Sequence, residues 1–230
     1  MLSKAQEKHI RALKSKKDRL ATGLCLVEGQ KVIDAAGDYV DMTFTREDTL
    51  NYEHIVDART PQGISGIARV PKWSLEELKR LTTIIVLDGV QDPGNVGSIF
   101  RLALGFNASV VLIESADPTS PKVIRSSVGA LFQIPWLIVK RADAEETLRD
   151  FQRPVYRLES KEEEDGLTLT DETMNKMEEN IIIIAGSEGN GIKLSTEGQS
   201  IAIGHGEALE SLNVAHALAI MMHARYQKLD

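Results

Sequence analysis

Three polar clusters in this 230-residue chain each follow a short apolar run, and together they hold the side chains best placed to bind or move charge. The first is LDGVQDPGNVGSIFR, from Leu87 to Arg101. The apolar run ends at Asp88, a loop rich in Gly, Asp, Pro and Asn follows, and a helix is predicted to begin near Asn95. Polar groups therefore collect at the carboxyl end of a strand, where open α/β sheets bind their ligands. Asn95 is a candidate helix cap, and Arg101, six positions on, lies less than two turns further along the helix. Taken alone, the stretch is also a capped strand-to-helix turn with a surface arginine. Without a Gly-Lys-Ser/Thr ending or G-x-G-x-x-G spacing, it is neither a phosphate loop nor a dinucleotide fingerprint.

The second cluster is IIIIAGSEGNGI, from Ile181 to Ile192. An unbroken apolar strand runs into Gly186, Ser187, Glu188, Gly189, Asn190 and Gly191. The glycines allow close backbone approach to a ligand, and Glu188 is the single acid among them; a tight turn would explain only one or two of the glycines. The third is SIAIGHGEALESLNVAHALA, from Ser200 to Ala219. Here a strand and a glycine-containing loop lead through Ser211, Leu212 and Asn213 into an apolar helix, which Ser211 or Asn213 would cap. His205, His216 and His223 form no metal constellation with the lone Cys25 and read as surface or packing residues, so no metal is expected.

The elements that must position these clusters follow from the apolar pattern. Strands are predicted at Leu24 to Val27, Ile64 to Val70, Ile84 to Leu87, Ser109 to Ile113, Trp136 to Val139, Ile181 to Ala185 and Ile201 to Ile203. Helices are predicted near 95–104, 122–130, 143–151, 171–179 and 212–228. Between the first two strands the sequence reads as irregular and polar, with a turn at Pro61 and Gly63. A run such as Ile181 to Ile184 requires a sheet covered on both faces, so the chain reads as an α/β protein with a mainly parallel sheet. Four segments result: a basic helix over 1–20, a small α/β unit over 21–72, a linker over 73–82 and the main domain over 83–230.

Charge is unevenly spread along the chain. The formal total is -7 and the pI near 5.4, which argues against a nucleic-acid partner bound through Lys and Arg. Yet residues 1–20 hold seven bases against two acids, a net +5, and residues 141–180 hold six bases against thirteen acids, a net -7. A basic arm could meet an anionic polymer while an acidic face, including the run Glu162 to Asp165, stays in solvent. No apolar run approaches the roughly 18 residues needed to span a bilayer, no signal peptide is visible, and one cysteine suits a cytoplasmic setting.

Together the three clusters resemble the three motifs of the SpoU or TrmH branch of the SPOUT RNA methyltransferases. The resemblance covers about residues 84–226. It is most specific at Asp92-Pro93-Gly94-Asn95-Val96-Gly97 followed by Arg101, and at Ser211-Leu212-Asn213-Val214. Upstream, Cys25 to Ala36 and Thr60 to Ala68 resemble, in shortened form, the small α/β RNA-binding domain that precedes the catalytic domain in many members.

The resemblance implies a C-terminal trefoil knot, a homodimer, and methyl transfer from S-adenosyl-L-methionine to a ribose 2'-hydroxyl of tRNA or rRNA. By position, Gly186, Ile203 and Leu212 would bind the cofactor. Asn95, Arg101, Glu188, Ser211 and Asn213 would form the catalytic and substrate-side set. A guanidinium holds its proton up to about pH 12, so Arg101 is expected to bind the neighbouring phosphate and stabilise the developing alkoxide rather than act as the base. Ile203-Gly204-His205 departs from the Ile-Pro-Met of many relatives, which predicts a differently shaped loop that still binds cofactor. The competing readings are a catalytically silent RNA-binding protein on the same fold and, less well supported, a nucleotide-binding oxidoreductase.

Overall fold

The computed structural model describes residues 1–56, 63–159, 166–187, 189–206 and 208–229. The turn at Pro61, the acidic run 162–165 and the candidate Glu188 lie outside the described residues. In chain order the first elements are α1 (Lys4–Ala12), α2 (Lys16–Thr22), β1 (Leu24–Glu28), α3 (Gln30–Ala36), β2 (Val40–Thr45), α4 (Tyr52–Ile55), β3 (Ile64–Arg69) and α5 (Leu75–Lys79). There follow β4 (Thr83–Asp88), α6 (Pro93–Gly105), β5 (Ala108–Ile113), α7 (Pro121–Ser127), β6 (Trp136–Val139), α8 (Arg141–Asp150) and β7 (Val155–Glu159). The chain closes with β8 (Leu167–Thr168), α9 (Asp171–Lys176), β9 (Ile181–Gly186), β10 (Gln199–Ala202) and α10 (Val214–Leu229).

These elements form two compact units. The first is Met1–Lys72 with Asp117–Gln133, and the second is Trp73–Ala116 with Ile134–Asp230. In the first unit, β3 lies between β1 and β2 and is antiparallel to both. The interval read as irregular and polar carries α3 and β2. Both are short, and only Val32, Ile33 and Ala36 of α3 and Phe44 of β2 are buried, too few to show a period in the sequence.

The basic N-terminal arm is more than a solvated helix. Ser3 and Gln6 cap α1 reciprocally, and Ile10 and Leu13 enter the core with Leu26, Phe44, Tyr52, Ile55, Val56 and Ile67. Lys4, Lys8, Arg11, Lys16 and Lys17 remain exposed. Arg19 does not: it is 4% exposed and donates to the carbonyls of Leu13 and Lys14 at 2.9 and 2.8 Å, to Thr119 Oγ1 at 3.1 Å and to Asp117 Oδ2 at 2.5 Å. Lys14 Nζ also donates to the carbonyl of His54 at 2.9 Å, so two of the seven bases are committed to the fold. Burial alone would raise the Asp117 carboxyl, but the hydrogen bonds from Arg19 and Thr119 outweigh it and hold the group below the usual carboxylate range.

The second unit is built on a seven-stranded sheet in the order β6-β5-β4-β9-β7-β10-β8, and every pairing in it is parallel. Ile181 to Ile184 sit fully buried in β9, between β4 and β7. Strands β7 and β8 were not predicted. Val155–Glu159 carries Arg157 and Glu159 among its five residues and is only half-buried throughout, so it lacks the apolar run that reveals its neighbours. Arg225 near the end of α10 is buried and donates to Thr83 Oγ1 at 2.8 Å and to the carbonyls of Glu178 and Glu179, which ties the last helix to the start of β4.

Two outcomes follow for the first unit. Leu13→Ala is expected to destabilise the full chain by about 2 to 5 kcal/mol, the range for a buried leucine left as a cavity, in a denaturant titration. The Asp117 pair stabilises fully above the unfolded carboxylate pKa of roughly 3.9, and this contribution is lost as pH falls through the depressed folded value. Unfolding midpoints measured from pH 6 to 2 should therefore fall more steeply for the wild type than for Asp117→Asn.

Candidate functional site

The first cluster is organised by a cap that the sequence reading assigned one turn too late. Asp92, not Asn95, caps α6: its Oδ1 accepts from the backbone N–H of Asn95 at 2.8 Å, and Pro93 fills the first helical position, where a missing N–H costs nothing. Asn95 is thereby freed for another contact. Its Oδ1 accepts from Asn213 Nδ2 at 3.0 Å. Asn213 itself caps α10, its Oδ1 accepting from the N–H groups of Ala215 and His216 at 3.0 and 3.3 Å. With its oxygen on the helix, the Asn213 amide presents its nitrogen to Asn95, and one side chain joins the starts of α6 and α10.

A cavity of about 570 Å³ opens beside this junction at the carboxyl ends of β7, β9 and β10. Its wall includes Gly186, Ile203, Ser211 and Leu212, four of the residues singled out in the sequence. Ile203 lies just past the end of β10 rather than inside it, which leaves it free to line the space. His205, read as a surface or packing residue, also lines the wall. Asn95, Asn213 and Arg101 are not part of it. Arg101 is exposed on α6, about 9 Å along the axis from Asn95 and about 120° around it. Its guanidinium has no hydrogen-bond or ion-pair partner among the described residues.

The glycine loop has a shape of its own. Ser187 and Gly191 exchange backbone hydrogen bonds, Ser187 N–H to Gly191 O at 3.2 Å and Gly191 N–H to Ser187 O at 2.8 Å, and Gly191 has φ of +62°. A Cβ on Gly186 would collide with the carbonyl of Gly191 and the nitrogen of Ile192. Glycine is required at 186 by the loop folding back on itself, and the bare backbone that results faces the cavity.

Three residues escaped the sequence reading. Leu158 and Glu159 line the cavity from β7, the strand that was not predicted. Asp88, noted only as the end of a strand, is the anchor of the site. Its buried carboxylate accepts from Lys193 N–H at 2.6 Å and Leu194 N–H at 2.7 Å through Oδ2, and from Arg141 Nη2 at 2.6 Å through Oδ1. Arg141 also bonds Glu114 at 2.7 Å, and its pKa is raised by its hydrogen bonds to Asp88 and then to Glu114. An acid at the end of a run of six buried strand residues is the signal that would have pointed to Asp88, since such a charge must be paired.

A family model described as the SpoU rRNA Methylase family matches residues 82–223. A mitochondrial rRNA methyltransferase 3 from Xenopus laevis is 32% identical over 163 residues, 57% of this chain and 39% of that protein. The 23S rRNA (guanosine(2553)-2'-O)-methyltransferase of Bacillus subtilis is 26% identical over 237 residues, covering 92% of each chain. The structure of an AdoMet-bound rRNA methyltransferase from Sinorhizobium meliloti superimposes with a TM-score of 0.81 at 25% identity, covering 100% of this chain and 97% of that one.

The anchor at Asp88 can be tested without any ligand. Asp88→Ala leaves the Lys193 and Leu194 N–H groups without their acceptor and Arg141 with Glu114 alone, and is expected to cost about 2 to 4 kcal/mol, the range for two unsatisfied donors. Asp88→Asn keeps one acceptor oxygen and is expected to cost less, about 1 to 3 kcal/mol. Denaturant unfolding of the full-length variants measures both.

Proposed function

The chain belongs to the SpoU rRNA Methylase family, and on that premise we propose that it transfers a methyl group from S-adenosyl-L-methionine to a ribose 2'-hydroxyl of RNA. The observation that carries this reading is the meeting of two separate motifs in one cavity: Gly186 from the second and Ile203, Ser211 and Leu212 from the third. The residues fit the cofactor. Leu158, Ala185, Ile203, Leu212, Val214 and Ala217 supply apolar wall for a flat base, while Ser187 and Ser211 supply polar contacts for a sugar and an amino-acid tail. The volume lies within the usual range for small-molecule sites. When bound, S-adenosyl-L-methionine supplies an electrophilic methyl group on a sulfonium, which leaves as a neutral thioether.

The remaining tasks belong to the chain. A ribose hydroxyl is a poor nucleophile until its proton is removed, so the site must position it and favour the charge that develops. Asn95 and Asn213, locked to each other, hold the starts of α6 and α10 in register beside the cavity. Arg101 presents a guanidinium that is unpaired among the described residues and whose fork suits a phosphate, and it stabilises the alkoxide while the phosphate or a water takes the proton. Glu188 belongs to the same set by its place in the second motif.

Both full-length relatives described above are named for action on rRNA, so rRNA is the first substrate to test. The exposed bases of α1 and α2 support an RNA-contacting role for the first unit. A homodimer is supported by Leu104, Ile220 and Tyr226, which are 39%, 43% and 43% exposed on α6 and α10, and these helices pack on each other. A trefoil knot is supported by β9 and β10 entering the sheet between strands that precede them in the chain. No helix among the described residues is long and apolar enough to cross a membrane, and a cytoplasmic setting agrees with the single buried Cys25.

Incubation with methyl-labelled S-adenosyl-L-methionine and total RNA, followed by mapping of 2'-O-methyl sites, should reveal a discrete labelled ribose. Cofactor binding without any labelled RNA would favour the silent RNA-binding alternative. Arg101→Ala is expected to lower turnover by roughly 10² to 10³, the usual loss for a charge-stabilising donor. Arg101→Lys keeps the charge but loses the fork, so near-normal turnover in that variant would defeat the bidentate role.

A further inference from the structure

The charged side chains on the described wall of the cavity are all of one sign: Glu159 and Glu210 line it, and no described lysine or arginine does. The two acids differ in setting. Glu210 is exposed, whereas the Glu159 side chain, at the end of β7, is 18% exposed and lies 3.2 Å from the Arg157 guanidinium. Arg157 stands two residues earlier and so on the same face of the strand. Its guanidinium is also turned to the backbone, donating to the carbonyls of Leu194 at 2.8 Å and Thr196 at 3.1 Å. It does not line the cavity. The ion pair therefore shows the cavity its carboxylate end.

We propose that Glu159 makes this cavity distinguish a sulfonium cation from a neutral thioether, holding S-adenosyl-L-methionine more tightly than the S-adenosylhomocysteine left after methyl transfer. The inference rests on the proposed identity of the cofactor. The two molecules share adenosine, carboxylate and amine and differ by one methyl group and one positive charge, so contacts of shape and hydrogen bonding hold both alike. A fixed negative charge holds only one of them more tightly. Screening by water is weaker for the half-buried Glu159 than for Glu210 at the rim, so the discrimination falls mainly on Glu159. Loss of the ligand's charge then loosens the spent cofactor and lets a fresh one replace it.

Titration calorimetry on the full chain with each molecule tests this. Wild-type protein should bind S-adenosyl-L-methionine more tightly than S-adenosylhomocysteine, a comparison that needs no variant; a ratio of one or below overturns the proposal. Glu159→Gln, close in size, should weaken S-adenosyl-L-methionine about fivefold, roughly 1 kcal/mol, while S-adenosylhomocysteine changes less than twofold and so reports an intact fold. Glu210→Gln should change both by less than twofold. Parallel losses for the two ligands in Glu159→Gln, no change for either, or an equal shift of the ratio in Glu210→Gln would each overturn the role of Glu159. If folded wild-type protein binds neither ligand, the cofactor reading itself fails.

Discussion

A charge at the end of a buried strand cannot be left alone, and Asp88 shows how this protein meets that constraint. Its carboxylate is surrounded by Arg141 and two backbone N–H groups, so the penalty of removing it from water is offset by three charge-assisted hydrogen bonds. The same bonds fix geometry. They bind the end of β4 to residues 193 and 194, immediately beyond the glycine loop. The register that pairs Asp88 with Gly186 across β4 and β9 is thus continued past the strand ends, where the cavity begins.

Around that anchor, backbone groups rather than long side chains shape the site. Gly186 has no room for a Cβ because Gly191 lies against it, and the loop closes through reciprocal backbone bonds at Ser187 and Gly191. On the other side, α6 and α10 begin within one hydrogen bond of each other through Asn95 and Asn213. Each helix start has its own capping acceptor, Asp92 for α6 and Asn213 for α10. Only because Asp92 performs the capping at α6 can Asn95 serve as the link. A substrate hydroxyl brought to this edge would meet a frame whose parts are already held, which is the condition for positioning to contribute to rate.

Charge is divided according to the partners each region would meet. The first unit buries Arg19 against Asp117 and leaves five other bases of its first 20 residues exposed, whereas the cavity in the second unit carries two acids, Glu159 and Glu210, and no lysine or arginine on its described wall. A polyanion and a cationic cofactor ask for opposite potentials, and the net figure of -7 averages over both. The arm is also part of the first unit's core through Ile10 and Leu13, so its bases are carried on a fixed surface and not on a loose tail.

Much of this was legible in the sequence. The unbroken apolar runs at 84–87, 109–113 and 181–185 announced a parallel sheet because strands covered on both faces need no polar alternation. The resemblance to the family's second and third motifs pointed to Gly186, Ile203, Ser211 and Leu212, and the structure places all four on one cavity. What the sequence hid were elements and contacts without a local signature. Strand β7, with Arg157 and Glu159 in five residues, gains its place only by pairing with β9 and β10. The helices and strands of the first unit between β1 and β3 are too short to show a period. The cap at Asp92, the Asn95 to Asn213 bond across 118 positions and the reach of Asp88 to residues 193 and 194 are long-range facts. Residue types and spacing alone determined the fold class and the family motifs, since these are written in local hydrophobic pattern. The tertiary structure alone decided which polar groups pair, because hydrogen bonds join atoms that are close in space whatever their distance along the chain.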